Sequence, residues 1–162
     1  MIPWVVTMIP GYVEYEVLGW IGTRLPLIIP WIGGSAFNVF MLRQFMDDIP
    51  MELDEAAKMD GCSSFRILVQ IILPQIKPCL ATLFVFSFIN AWSDYVGPSI
   101  YLQYDESLFT MSLGMQQFFS STGKVDLNIV MAASVMFSVP MVIVLTLAQK
   151  AFVRGVVRSG IK

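Results

Sequence analysis

The chain has 162 residues, 56 % of them hydrophobic and 14 % charged, with mean hydropathy +0.70 and a formal net charge of -2. It is more apolar and less charged than an ordinary soluble domain, which points to a membrane. With no histidine and two cysteines, Cys62 and Cys79, the composition excludes His-based acid–base catalysis, Ser-His-Asp and Cys-His nucleophiles and most zinc sites; no cofactor or metal is expected, and the chain does not read as an enzyme.

The first 13 residues are uncharged and interrupted by Pro3 and Pro10. A helix needs about 20 residues to cross the hydrocarbon core, so this segment reads as the end of a span whose beginning is missing. A secretory signal peptide would carry a basic n-region and a small-residue cleavage site, and neither is evident. An outer loop with Glu14, Glu16 and Arg24 follows. The 18 uncharged residues from Leu25 to Leu42 then predict a span over about 25 to 45.

Residues 47 to 78 form a charged island. Asp47 or Asp48 is placed to cap a helix, Pro50 to sit in its first turn, and Glu52, Asp54 and Glu55 to complement the positive end of its dipole. Gly61 is expected to close this helix in the left-handed conformation, with Ser63 or Ser64 capping the next. In the first helix Leu53, Ala56 and Ala57 share one face at i, i+3 and i+4. The pair of alanines lets another protein approach the backbone closely, which suits insertion into a groove. A connector lying on lipid would show large apolar residues opposite Lys and Arg, whereas here alanines stand beside acids. Phe65, Leu68, Ile71 and Ile72 predict a second helix packed under the membrane domain, and Pro74 and Pro78 a bend toward the next span.

That span is expected at about 79 to 99, built on 16 uncharged residues that end at Asp94. An outer segment of about 100 to 125 contains Ser121-Thr-Gly-Lys124. This tetrapeptide lacks the other fixed residues of a phosphate-binding loop, Phe118 and Val125 standing in their places, so it reads as a turn. The 23 uncharged residues from Leu127 to Gln149 predict the last span, about 126 to 149, before a short basic tail. Prolines and glycines within the spans, Pro26, Pro30, Gly33, Gly34 and Pro140, read as packing kinks or hinges.

The charges fix an orientation. Arg43, Lys58, Arg66, Lys77, Lys150, Arg154, Arg158 and Lys162 fall on the side of the island, and only Arg24 and Lys124 opposite. Cytoplasmic loops carry such an excess, so the island and the C-terminus are expected in the cytoplasm, where Cys62 and Cys79 stay reduced.

Glu55-Ala56-Ala57, three residues, Gly61, nine residues, then Ile71-x-Leu73-Pro74 resembles the EAA loop of ATP-binding-cassette importer permeases. Leu42-Arg-Gln-Phe45, Asp60-Gly61, Lys77-Pro78 and the C-terminal Gly160-Ile-Lys162 look like the carbohydrate-uptake group that includes the maltose and glycerol-phosphate systems. The likeness covers nearly the whole chain. It implies an all-α polytopic membrane protein, the helical bundle of a type I importer permease, N-terminally truncated, with 1–162 a partial permease domain and 47–78 its cytoplasmic coupling loop. Glu55, Ala56, Ala57, Asp60, Gly61, Ile71, Leu73 and Pro74 are the coupling positions that the resemblance implies.

The partners implied are a dimer of cytoplasmic ATP-binding subunits that hydrolyse the ATP, a second permease subunit, an extracytoplasmic solute-binding protein and membrane lipid, with no nucleic acid. The cargo implied is a sugar or sugar-like solute, and the location a bacterial plasma membrane. Residues 90 to 102 resemble a family stretch that usually reads Trp-Asn-Asp/Glu-Phe; Trp92 and Asp94 match and are candidates for the substrate path, while Ser93 and Tyr95 depart. A carboxylate at membrane depth is costly and is read as functional by default; Trp92 reads equally as an interfacial belt residue with Tyr95 and Tyr101. Residues 108 to 119 resemble the outer segment where a binding protein docks. The alternative is a transport-inactive scaffold or regulatory fragment that keeps the docking helix.

Overall fold

The structure, a computed structural model, describes residues 3–102, 105–120 and 127–159. The turn expected at 121–124 and the motif expected at 160–162 lie outside the described residues. Among the described residues every regular element is helical: α1 (Trp4–Val17), α2 (Leu25–Ile32), α3 (Ala36–Asp47), α4 (Met51–Met59), α5 (Ser64–Ile67), a π-turn (Leu68–Ile72), α6 (Leu73–Gln75), α7 (Lys77–Ser93), α8 (Val96–Tyr101), a 3-10 turn (Glu106–Leu108), α9 (Met111–Ser120) and α10 (Leu127–Ser159).

Two stretches are long and apolar enough to cross a membrane, Leu25–Asp47 and Leu127–Gln149, each of 23 residues. A third forms if Ser64–Gln75 and Lys77–Ser93, which meet at 75°, are taken as one broken span. The first and last fall where the uncharged runs predict them. The middle one ends at Ser93 rather than near 99, because Asp94 turns the chain there and starts α8. The basic tail continues α10 as helix to Ser159.

The chain divides into two units, Met1–Gly34 with Asn90–Pro140, and Ser35–Ile89 with Met141–Lys162. In the first, α1 ends at a loop turned by the left-handed Gly19 and Gly22. The Gly22 N–H donates to the Tyr101 carbonyl at 2.8 Å, fastening that loop to α8. Tyr15 stacks on Trp20 at 5.8 Å and meets Tyr101 edge-on at 5.3 Å, favoured offset and T-shaped geometries. The same unit packs α8 against α2.

In the second unit Ser35 caps α3, its hydroxyl accepting the Asn38 N–H at 3.1 Å. The core is Ile76, Cys79 and Leu83, covered by Met41, Leu42, Met46 and Ile49 around the end of α3 and by Ile72, Leu73 and Leu80. It sits at the bend between α6 and α7, so the elbow is itself the packed part. Farther along, the Asn38 amide donates to Ser87 Oγ at 3.2 Å, joining α3 to α7. Such polar pairs hold membrane helices together where lipid supplies no hydrophobic drive.

Along α10, Ser134, Ser138 and Thr146 donate to carbonyls of their own helix, so none of these three hydroxyls is left unpaired in an apolar setting. No residue from Leu127 to Gln149 in α10 is buried within the chain. An all-round apolar helix of this length is stable only with hydrocarbon or other helices around it.

Candidate functional site

The island is a helical corner. Met51–Met59 forms α4, but neither Asp47 nor Asp48 caps it. Asp48 instead ends α3, donating its N–H to Gln44 O, and Asp47 lies 3.9 Å from the Arg43 guanidinium. The residue before α4 is Pro50, with ψ 132°, and its carbonyl accepts the Leu53 N–H at 3.2 Å. Pro50 thus stands just outside the first turn, not within it. Glu52 and Asp54 do occupy that turn, opposing the partial positive charge of the helix end. Lys58 pairs with Asp54 one turn on; that hydrogen bond, then the Asp54 charge and more weakly Glu55, hold the Lys58 ammonium above its usual 10.5.

The C-terminal end of α4 closes through Gly61, which has φ +76°. Its N–H donates to Lys58 O and the Cys62 N–H donates to Ala57 O, both at 3.0 Å. These are the two bonds of a Schellman closure, which satisfies carbonyls that a helix end otherwise leaves orphaned. Of the two serines, Ser63 caps α5, its hydroxyl accepting the Arg66 N–H at 3.4 Å. Ser64 is already inside the helix.

The two alanines do not share one exposed face. Ala57 is 5 % exposed, whereas Leu53, Glu55 and Ala56 are exposed. The Schellman turn folds the chain back from Ala57 toward α5, which packs on α4, so this alanine permits the corner's own closeness. The outer surface offers Glu52, Leu53, Glu55 and Ala56, with Met59 at 89 % exposed and Phe65 at 76 %. Met59 was not singled out by the motif, its only signal being a large apolar side chain beside a glycine corner, and Phe65, expected to pack under the membrane domain, faces out of the chain instead.

The second helix also departs from a regular stripe. Ile67 is buried at 2 % while Phe65 points out, as two residues about 200° apart on α5 must; beyond them the helix widens into a π-turn over Leu68–Ile72, where the Leu73 N–H reaches back to Leu68 O. Pro74 gives the reason: it has no N–H for Gln70 O, and its ring crowds the preceding turn. Ile71 lies in the widened turn, its carbonyl accepting the Gln75 side-chain amide at 3.1 Å. Leu73 packs on the elbow core. The Ile-x-Leu-Pro positions thus build the bend, and the Glu-Ala-Ala and Gly positions build the corner before it.

Trp92 and Asp94 stand at the other end of α7. The Trp92 Nε1–H donates to the Phe137 carbonyl at 3.0 Å, with the two rings 5.9 Å apart. Asp94 Oδ1 accepts the Gly97 N–H at 3.1 Å, and the Asp94 main-chain carbonyl accepts the Ser112 hydroxyl at 2.5 Å. Both candidates are therefore engaged with the chain itself. Among the described residues no group of His, Cys, Asp and Glu could hold a metal ion.

Long apolar helices and a charged, sharply closed, exposed corner in one chain define a helical integral membrane protein. Over residues 1–158 the chain matches the binding-protein-dependent transport system inner membrane components, and it belongs to that family. It is 35 % identical over its whole length to a galactooligosaccharides transport system permease protein of Bacillus subtilis, covering 57 % of that protein. It is 29 % identical over its whole length to a maltodextrin transport system permease protein of Streptococcus pneumoniae, covering 58 % of it. Over 139 residues, 85 % of the chain, it is 40 % identical to 47 % of an sn-glycerol-3-phosphate transport system permease protein of Yersinia pestis. The chain thus spans about half the length of the curated relatives it matches.

Proposed function

We propose that the chain is permease machinery of an ATP-binding-cassette importer for a sugar or sugar-like solute, and that α4 is its coupling helix. In this reading the corner faces the cytoplasm and docks in a cleft of an ATP-binding subunit, a dimer of which hydrolyses ATP. A second permease subunit completes the pathway, and an extracytoplasmic solute-binding protein delivers the cargo. The observation that carries the reading is the form of the corner: a helix locked at its end by Gly61, presenting Glu55 and Ala56 outward, in a chain of this family.

The buried Ala57, Asp60 at the helix end and the Ile71, Leu73 and Pro74 elbow give the corner a fixed bearing on α7. A push on α4 then reaches α7 as a lever stroke rather than being lost in a flexible loop. The outer carboxylates Glu52 and Glu55 orient the docking by charge, which sets specificity and encounter more than net affinity.

The test is site-directed cross-linking in membranes from cells that make the complete transporter. Leu53→Cys and Ala56→Cys should trap the ATP-binding subunit, whereas Ala57→Cys, which is buried, should not. Glu55→Lys should lower recovery of that subunit in detergent co-purification. Products at positions 53 and 56 that contain only lipid would refute the coupling role.

A further inference from the structure

Trp92-Ser93-Asp94 gathers three helices through groups that a carbohydrate would otherwise use. The indole N–H is spent on the Phe137 carbonyl of α10. That carbonyl lies one residue beyond Met136 O, which Pro140 leaves without its usual helical donor. The Asp94 carboxylate takes the Gly97 N–H in the first turn of α8, and it lies so close over Gly97 that a Cβ there would stand 2.6 Å from Asp94 Oδ2 and 3.2 Å from Leu27 Cδ2. The Asp94 carbonyl, at the end of α7, takes the Ser112 hydroxyl from α9. Ser112 Oγ is itself 2.9 Å from Thr110 Oγ1, which accepts the Leu113 N–H at 3.4 Å and so caps α9.

We infer that Trp92, Asp94, Gly97 and Ser112 form a clasp that fixes α8, α9 and the Phe137 region of α10 to the end of α7, with Asp94 acting as a hydrogen-bond acceptor rather than as a charge or a sugar contact. Trp92 and Asp94 are thus positioning residues. The clasp ties the first turn of α8 and the start of α9 to the last turn of α7. This goes beyond the transport reading, because the clasp holds whatever the cargo is.

The discriminating comparison is between Asp94→Asn and Asp94→Ala. Asparagine keeps the Oδ1 acceptor and loses the charge; alanine loses both. Amide hydrogen exchange on the intact protein in detergent, read by mass spectrometry of peptides, reports each helix separately. Loss of one hydrogen bond is expected to speed exchange over 96–101 about fivefold in Asp94→Ala, and over 111–120 by about as much in Ser112→Ala. Asp94→Asn should stay within about twofold of the parent, and α4 should be unchanged in all three.

An Asp94→Asn protein that exchanges like Asp94→Ala would overturn the acceptor role in favour of charge. Unchanged exchange in Ser112→Ala, or acceleration spreading equally to α4, would overturn the clasp. Exchange needs no transport, so failure of the importer reading leaves this result standing and failure here leaves that reading standing.

Discussion

Gly61 isolates one physical cause, because its backbone is left-handed at φ +76° while an added Cβ would meet nothing within 4 Å. An alanine there creates no clash and tests conformation alone. An L-residue pays about 1–2 kcal/mol to hold the left-handed region; asparagine pays less because its side chain bonds locally, and a β-branched residue pays more. The expected order of cost is therefore Gly, Asn, Ala, Val, with Gly61→Ala losing about 1–2 kcal/mol at the corner. That loss opens the bonds from Gly61 to Lys58 O and from Cys62 to Ala57 O. In amide exchange it corresponds to opening about 5- to 30-fold more often at positions 61 and 62. Gly61→Val should leave the protein inserted in the membrane and, in the importer reading, separate ATP hydrolysis from uptake. Exchange in Gly61→Ala equal to the parent, or a valine variant tighter than the alanine one, would refute the argument that the closure depends on φ.

Two further outcomes test the same corner. Ser63→Ala should cost about 1 kcal/mol by removing the α5 cap, seen as faster exchange at Arg66; Ser63→Asp should restore protection, and equal exchange in all three proteins would show that the cap is idle. Lys58 has its folded value raised above 10.5 by Asp54, so the pairing contributes fully below 10.5 and is lost as pH rises through the raised value. Peptides covering α4 should accordingly lose protection above pH 10.5, after correction for intrinsic exchange. The Asp54→Asn protein should lack that step, and an identical profile in both would remove the pair from the account.

How far the sequence could be read follows from where burial has a chemical signature. At the corner it does: Gly61, Ser63 and Pro74 each act through the backbone, and a backbone need is written in residue type. Two local expectations failed there because the rival was also local. Asp47 and Asp48 could end α3 as readily as cap α4, and α5 turns Ile67 rather than Phe65 to the inside, while Pro74 widens the helix after them.

Within α7 no such signature exists. Leu83 and Val85 are buried, while Phe84 is 63 % and Phe86 48 % exposed, yet all four are equally apolar. Lipid is as welcoming to a phenylalanine as a protein core is, so a membrane helix has no polar face to mark the outside. The inward side is marked instead by small or polar groups such as Cys79 and Ser87, the latter joined to Asn38. By the same logic Trp92 and Asp94 drew attention as costly polar groups in an apolar run. The cost is met locally, by Phe137 O and the Gly97 N–H. A polar residue at membrane depth thus announces a hydrogen bond, and only its partner tells whether that bond serves a cargo or holds a helix end in place.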